Sequence, residues 1–186
     1  DFVDIDPLTY NLDPKLLEEK LINAEKNNIL PKIVVPVHLC GHSADMQEIY
    51  ALSKRFKFKI IEDASHAIGG RYKGYPVGSC KYSDITVFSF HPVKIITTGE
   101  GGIATTNNID LAKKICKLRS HGITRDKNEM INDSHGEWYY EQQVLGYNYR
   151  MTDIQASLGI SQLKRISAFI LKREKIAQKY NKESVS

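Results

Sequence analysis

Apolar runs and amphipathic stretches alternate along much of this chain, and that alternation leaves few folds open. Ile33-Val34-Val35-Pro36-Val37 is a continuous apolar run. It has the pattern of a strand buried on both faces, made irregular at its end by Pro36. Residues 59–63, 85–90 and 102–106 read as further strands, and residues 2–5 as a short first one. Between them lie helical patterns. Asp13-Pro14 is a helix start, with Asp13 as N-cap and Pro14 in the first turn. Leu17, Leu21 and Ala24 continue it at helical spacing, Glu18 and Glu19 sit toward its positive end, and Asn27-Asn28 stops it. Met46, Ile49, Leu52 and Phe56 mark a second helix, and Leu111, Ala112, Ile115 and Leu118 a third. Strands separated by helices imply an α/β fold with a mostly parallel sheet and right-handed crossovers. The 85–90 and 102–106 strands are joined by a loop too short for a helix, so that pair is expected to be antiparallel. Residues 69–83, rich in Gly, Tyr and Lys, read as a loop or hairpin. Residues 120–150 read as a long connection, of a length more often functional than idle. From Thr152 the pattern is helical almost to the end, with a break expected near Ile166.

Composition narrows the function classes. The 186 residues suit one ordinary domain with its own core. A formal charge of +4 is too weak to argue for a nucleic-acid partner, and it slightly favours small anionic ligands. No apolar run reaches membrane-spanning length and no signal peptide opens the chain. Cys40, Cys80 and Cys116 form no CxxC pair. They read as buried free thiols, which fits a reducing cytoplasm. The chain has no initial Met and opens directly on a strand pattern, so it is expected to be part of something longer.

The stretch Ser89-Phe90-His91-Pro92-Val93-Lys94 with Thr97-Thr98-Gly99-Glu100-Gly101-Gly102 carries the chemistry. Strand ends in open α/β sheets are where ligands bind. Lys94 lies just past the end of one strand and Asp63 ends another, so parallel neighbours would bring both to one sheet edge. A lysine there can form an imine with an aldehyde. A carboxylate facing it can hold a heterocyclic nitrogen protonated. These are the two fixed points of a pyridoxal phosphate (PLP) site. A plain Lys–Asp ion pair satisfies the same spacing and is, from spacing alone, the commoner case. Ser89 is placed to bind a phosphate, or is an ordinary strand-end serine. His66, three residues after Asp63, is placed to stack on or hydrogen-bond a ring, although a lone histidine is more often structural. Arg150 either binds an anion or is a solvated charge. His38, His42, His91, His121 and His135 show no metal-ligand spacing, so no metal site is expected. The glycine-rich strings are neither Walker nor Rossmann fingerprints.

Five motifs stand in one order. They are Val35-Pro36-Val37-His38-Leu39-Cys40-Gly41-His42-Ser43-Ala44-Asp45-Met46, then Glu62-Asp63-Ala64-Ser65-His66-Ala67, then the 88–102 stretch, then Arg119-Ser120-His121-Gly122-Ile123, and then Gly146-Tyr147-Asn148-Tyr149-Arg150-Met151-Thr152-Asp153-Ile154-Gln155-Ala156. In these the chain resembles the sugar-nucleotide aminotransferases of the DegT/DnrJ/EryC1/StrS family. It is most similar to the UDP-4-amino-4,6-dideoxy-N-acetyl-altrosamine transaminases of pseudaminic acid biosynthesis. The resemblance implies the large domain of a fold type I, aspartate-aminotransferase-like, PLP-dependent transferase, incomplete at both ends. Residues 1–164 would be part of that PLP-binding domain, and 165–186 a helix leading toward a small domain that the sequence lacks. Lys94 falls on the Schiff-base lysine and Asp63 on the partner of the pyridine nitrogen. His66 falls on the position against the cofactor near its phenolic oxygen, and Ser89 on the phosphate-binding serine. Asn148 falls on the asparagine that reaches the phosphate of the neighbouring subunit's cofactor, so the site would be shared in a homodimer. Arg150 belongs to the same motif, as a substrate-binding residue. The implied reaction takes an amino group from L-glutamate to a nucleotide-linked 4-keto-6-deoxy sugar. The family's dehydratases carry a histidine in place of the lysine, and Lys94 argues against that branch. The family's N-terminal Ser-Gly-Thr phosphate loop has no counterpart here. The alternative is therefore a truncated, non-catalytic piece that serves as a structural or dimerisation module.

Overall fold

The computed structural model describes residues 1–184. They form two compact units, residues 1–106 with 153–184, and residues 107–152.

The first unit is built on a sheet of four strands among the described residues, in the order β1-β2-β5-β6. The strands are β1 (Ile33–Val34), β2 (Lys59–Asp63), β5 (Ile85–Ser89) and β6 (Gly102–Thr105). β1 runs parallel to β2 and β2 parallel to β5, while β6 is antiparallel to β5, as the short connection requires. Helix α1 (Pro14–Lys26) begins where the sequence puts it. Asp13 Oδ1 accepts the Lys15 N–H at 2.7 Å, and Pro14 takes a position whose N–H has no helical partner anyway. α2 (Met46–Phe56) makes the crossover from β1 to β2. Leu17 and Leu21 of α1 pack with Met46, Ile49 and Phe56 of α2 and with Val34 and Ile60 of the sheet. Ile49 is fully buried there, which stabilises the fold by about 1.5–3 kcal/mol relative to an exposed side chain. The path from β2 to β5 carries the expected hairpin, β3 (Arg71–Tyr72) and β4 (Tyr75–Pro76). Past residue 152 the helical pattern is α4 (Asp153–Leu163) and α5 (Ile166–Glu183), broken at Lys164 and Arg165.

Three expectations are corrected. Of the three free cysteines only Cys80 is buried, while Cys40 and Cys116 are exposed. Residues 2–5 form no strand: only Ile5 pairs, with Leu12. The chain is instead turned at Asp6, whose carboxylate accepts the Leu8 and Thr9 N–H groups at 2.8 Å. Nor is the 33–37 run buried on both faces. Val34, Pro36 and His38 are buried, whereas Ile33, Val35 and Val37 are 50%, 52% and 42% exposed. β1 ends at Val34 because Pro36 has no N–H to continue the ladder. Pairing resumes one residue on, at Val37 with Asp63.

In the second unit, Asn108 caps α3 (Ile109–Leu118) by accepting the Asp110 and Leu111 N–H groups at 2.9 and 3.1 Å. The long connection after it carries an antiparallel pair, β7 (Ile123–Thr124) with β8 (Glu141–Gln142). Glu141 organises it. Its carboxylate accepts the Ile131 N–H (2.7 Å), the Asn132 N–H (2.8 Å) and Nδ2 (2.9 Å), the Tyr139 hydroxyl (3.1 Å) and Gln143 Nε2 (3.0 Å). The Ile131 amide foremost, with the Asn132 and Tyr139 donors, outweighs desolvation and lowers the Glu141 pKa to about 2.

Candidate active site

The parallel pairing of β2 with β5 sets Asp63 opposite Val87. Asp63 and Ser89 therefore lie at the same, C-terminal edge of the sheet, where α/β folds bind ligands. Alternation along β2 sends Ile60 and Glu62 into the core and gives Asp63 the opposite, half-buried face. Asp63 Oδ1 accepts the Ser65 N–H at 3.0 Å, and Oδ2 has no donor among the described residues. The carboxylate keeps one lone-pair face open to a ligand.

His66 follows in the turn closed by the Ala67 N–H to Ala64 O (2.9 Å), and its side chain is exposed. The chain after β1 passes close beneath it. A Cβ on Gly41 would stand 2.8 Å from His66 O, and Gly41 has φ +86°, so glycine answers both demands.

From Ser89 the chain turns through His91-Pro92-Val93, and the Lys94 N–H donates to His91 O at 3.0 Å. Lys94 is half-buried. Among the described residues its ammonium makes no hydrogen bond and no ion pair, so the plain Lys94–Asp63 pair is not formed. Ser89 Oγ accepts only a long contact from the His91 N–H, at 3.4 Å. The loop is braced from behind. Phe90 O accepts the Thr98 N–H (3.0 Å) and the Thr97 hydroxyl (2.8 Å). Gln162 on α4 accepts the Thr97 N–H at 3.0 Å, and Gln155 donates to Glu100 O at 3.1 Å. Lys94 opens onto a cavity of about 740 Å³ lined also by Thr97, Gln162, Phe169 and Arg173.

Asn148 and Arg150 belong to the second unit, and both are exposed. Asn148 pairs with Ser120, and the stacked Tyr147 and Tyr149 rings flank it, 4.8 Å apart.

One feature of the site was not legible from residue spacing. His38 is completely buried and its Nε2 lies 2.8 Å from Glu62 Oε2. Nδ1 accepts the Ala44 N–H at 3.2 Å, which puts the ring proton on Nε2 as donor to Glu62. Glu62 Oε1 also accepts the Thr86 hydroxyl at 3.0 Å and the Ser83 hydroxyl. Burial alone pushes the Glu62 carboxyl up, but the hydrogen bonds from His38, Ser83 and Thr86 hold it below the ordinary value. The signal available was the tandem Glu62-Asp63 at the end of an alternating strand, which requires one acid on the core face and hence a buried partner for it.

Comparison with known proteins decides the family. Residues 1–184 match the DegT/DnrJ/EryC1/StrS aminotransferase family. The chain belongs to this family. It is 43% identical over 173 residues to the UDP-4-amino-4,6-dideoxy-N-acetyl-beta-L-altrosamine transaminase of Campylobacter jejuni serotype O:23/36, covering 93% of this chain and 42% of that one. Its fold is similar to that of Helicobacter pylori PseC, an aminotransferase of pseudoaminic acid biosynthesis, with TM-score 0.86 and 32% identity over 98% of this chain and 44% of that one. It also matches a Streptococcus pneumoniae protein assigned as a sugar aminotransferase and solved in its PLP form. There the TM-score is 0.76 and the identity 32%, over 97% of this chain and 46% of that one. The chain spans less than half the length of these relatives. The fold is thus that of the PLP-dependent aminotransferases, mixed α/β with a mostly parallel sheet. No helix among the described residues is long and apolar enough to cross a membrane.

Proposed function

We propose that this chain carries the catalytic lysine and acid of a PLP-dependent aminotransferase that moves an amino group from L-glutamate to a nucleotide-linked 4-keto-6-deoxy sugar. One observation supports this above the others. In a member of an aminotransferase family, Asp63 ends β2 with one carboxylate oxygen lacking a partner among the described residues, and Lys94, whose ammonium has none among them either, follows the end of the parallel neighbour β5.

The residues fit the cofactor. Asp63 Oδ2 is free to hold a proton at the ring nitrogen. Ser89 Oγ, in weak contact with the protein, and the turn amides beside it suit a phosphate. His66, exposed above the same edge, would lie against the ring near its phenolic oxygen. PLP, when bound, supplies an electron sink for the carbanion at the donor's α-carbon. Lys94 Nζ would hold the cofactor covalently. Its amine, once freed by the amino donor, would take the proton from the donor α-carbon as general base and deliver it to the cofactor carbon as general acid, and would move a proton in the opposite direction for the keto-sugar. In this reading Asn148 reaches the phosphate of a neighbouring subunit's cofactor, which makes the working unit a homodimer, and Arg150 binds an anionic group of the substrate. The reading assigns 1–164 to the PLP-binding domain and 165–186 to the helix leading out of it. It sets the reaction in the cytoplasm, on small molecules, with no nucleic acid or membrane involved.

The test is formation of 2-oxoglutarate when PLP-loaded protein is mixed with L-glutamate and a 4-keto-6-deoxy sugar nucleotide. Lys94→Ala is expected to lower turnover by at least about 10²–10⁴-fold, the usual worth of a positioned general acid–base. Wild-type turnover in that variant would refute the assignment. A second reading, a non-catalytic structural or dimerisation module, predicts self-association with no PLP uptake.

A further inference from the structure

The proposed chemistry makes no use of the most deeply buried polar cluster of the molecule. His38, Glu62 and Thr86 come from three adjacent strand paths, and all three are buried. Glu62 is the residue before Asp63, and His38 is hydrogen-bonded to Asp63 through the backbone. The His38 N–H donates to Asp63 O at 3.0 Å, and the Asp63 N–H to Pro36 O at 2.9 Å. On the far side the Ala64 N–H donates to Val87 O at 2.9 Å. The side-chain cluster locks the same three paths from below. His38 reaches Glu62 from the path beyond β1, Thr86 reaches it from β5 and Ser83 from the segment just before β5, and Ala44 fixes the imidazole. Two backbone contacts alone would leave this point of the sheet weak, because Pro36 interrupts the β1 ladder immediately before it.

We propose that the buried His38–Glu62 pair is a positioning device that fixes the end of β2, and with it the Asp63 carboxylate, in the place where it meets the ring nitrogen of the cofactor. The proposal rests on the PLP reading for what Asp63 meets, but not for what His38 and Glu62 do. A packing role alone needs no charge here, since apolar side chains of similar volume commonly replace a buried pair at no loss of stability. The cluster sits instead at the residue before the functional acid, on the strand face opposite it. Rigid support of that kind is what a site held to sub-ångström tolerance requires.

Two matched variants separate positioning from packing. His38→Gln retains a donor where Nε2 lies and therefore the bond to Glu62. His38→Asn retains the acceptor for Ala44 but is too short to reach Glu62. The first readout needs no cofactor: amide hydrogen exchange at Asp63, measured on the whole chain at equal global stability. His38→Asn is expected to speed it about tenfold, the worth of one buried hydrogen bond to a charged group, and His38→Gln by less than about threefold. The second readout is the NMR shift of the isotope-labelled ring nitrogen of PLP. It is expected to move toward the unprotonated form in His38→Asn only. Equal exchange at Asp63 in the two variants, or wild-type exchange in both, would overturn the proposal. If His38→Asn does not fold, Thr86→Val removes a single hydroxyl from Glu62 and is expected to speed the same exchange about threefold. No change in it would overturn the proposal equally. Should wild-type protein take no PLP on Lys94, the functional reading fails while the Asp63 exchange still decides the positioning role.

Discussion

Glu62→Ala is the perturbation whose cost follows most directly from the structure. Truncation removes the acceptor of three donors: His38 Nε2–H, the Thr86 hydroxyl and the Ser83 hydroxyl. The half-buried Ser83 can turn to water, and the Thr86 hydroxyl keeps Cys80 Sγ and Ser83 Oγ at 3.4 Å, whereas the fully buried His38 is left with no acceptor at Nε2. A buried group left unpaired costs about 1–3 kcal/mol, and that is the expected loss from His38. Against a total stability of about 5–15 kcal/mol for a typical domain, that is a large fraction. Glu62→Gln keeps an acceptor in place and should lose less. The assay is the urea midpoint of the two variants, with unchanged slope. A loss under about 1 kcal/mol for Glu62→Ala would refute the reasoning, since no buried polar pair could then depend on this carboxylate. The pH dependence has a defined sign. The Glu62 pKa is lowered on folding, so its stabilisation is full above the unfolded carboxyl value of 4.5 and is lost as pH falls through the lower folded value.

Two further outcomes are expected. Glu141→Ala should deprotect the Ile131 and Asn132 amides in hydrogen exchange. In the wild type the same loosening should set in between pH 4.5 and about 2, because the folded carboxyl is held down to about 2 and its contribution, full above the unfolded value of 4.5, is lost as pH falls through the folded one. Gly102→Ala should destabilise the β5–β6 pair by about 1–3 kcal/mol, because the new Cβ would stand 2.6 Å from Phe88 O, opposite Ser89. Thermal melting checks it, and a melting temperature equal to wild type would show that the two strands separate freely.

The parts of the fold visible in the sequence are those fixed by local chemistry. Asp13-Pro14 started α1, the alternating strands paired in parallel, and the short loop after Ser89 forced β6 to turn back. Residues 2–5 looked like a strand because Phe2, Val3 and Ile5 are apolar, but a strand exists only if a neighbour accepts its ladder, and only Leu12 does. The 33–37 run was misjudged because continuous apolarity does not tell which face is covered. Asp63 and Lys94 could be singled out in the sequence because Asp63 ends one strand and Lys94 lies just past the end of another. His38 was not, because its partner Glu62 lies 24 residues away and no local spacing links them. Glu141 escaped for the same reason: its donors at 131 and 132 are distant in a segment without periodicity.

The central claim is that Lys94 is the covalent anchor of PLP, and borohydride reduction of the PLP-treated chain followed by mass mapping of its peptides tests it most directly. The account predicts one adduct, on the peptide carrying Lys94, with loss of the visible absorbance. No adduct, or labelling spread over exposed lysines such as Lys59 and Lys179, would contradict it.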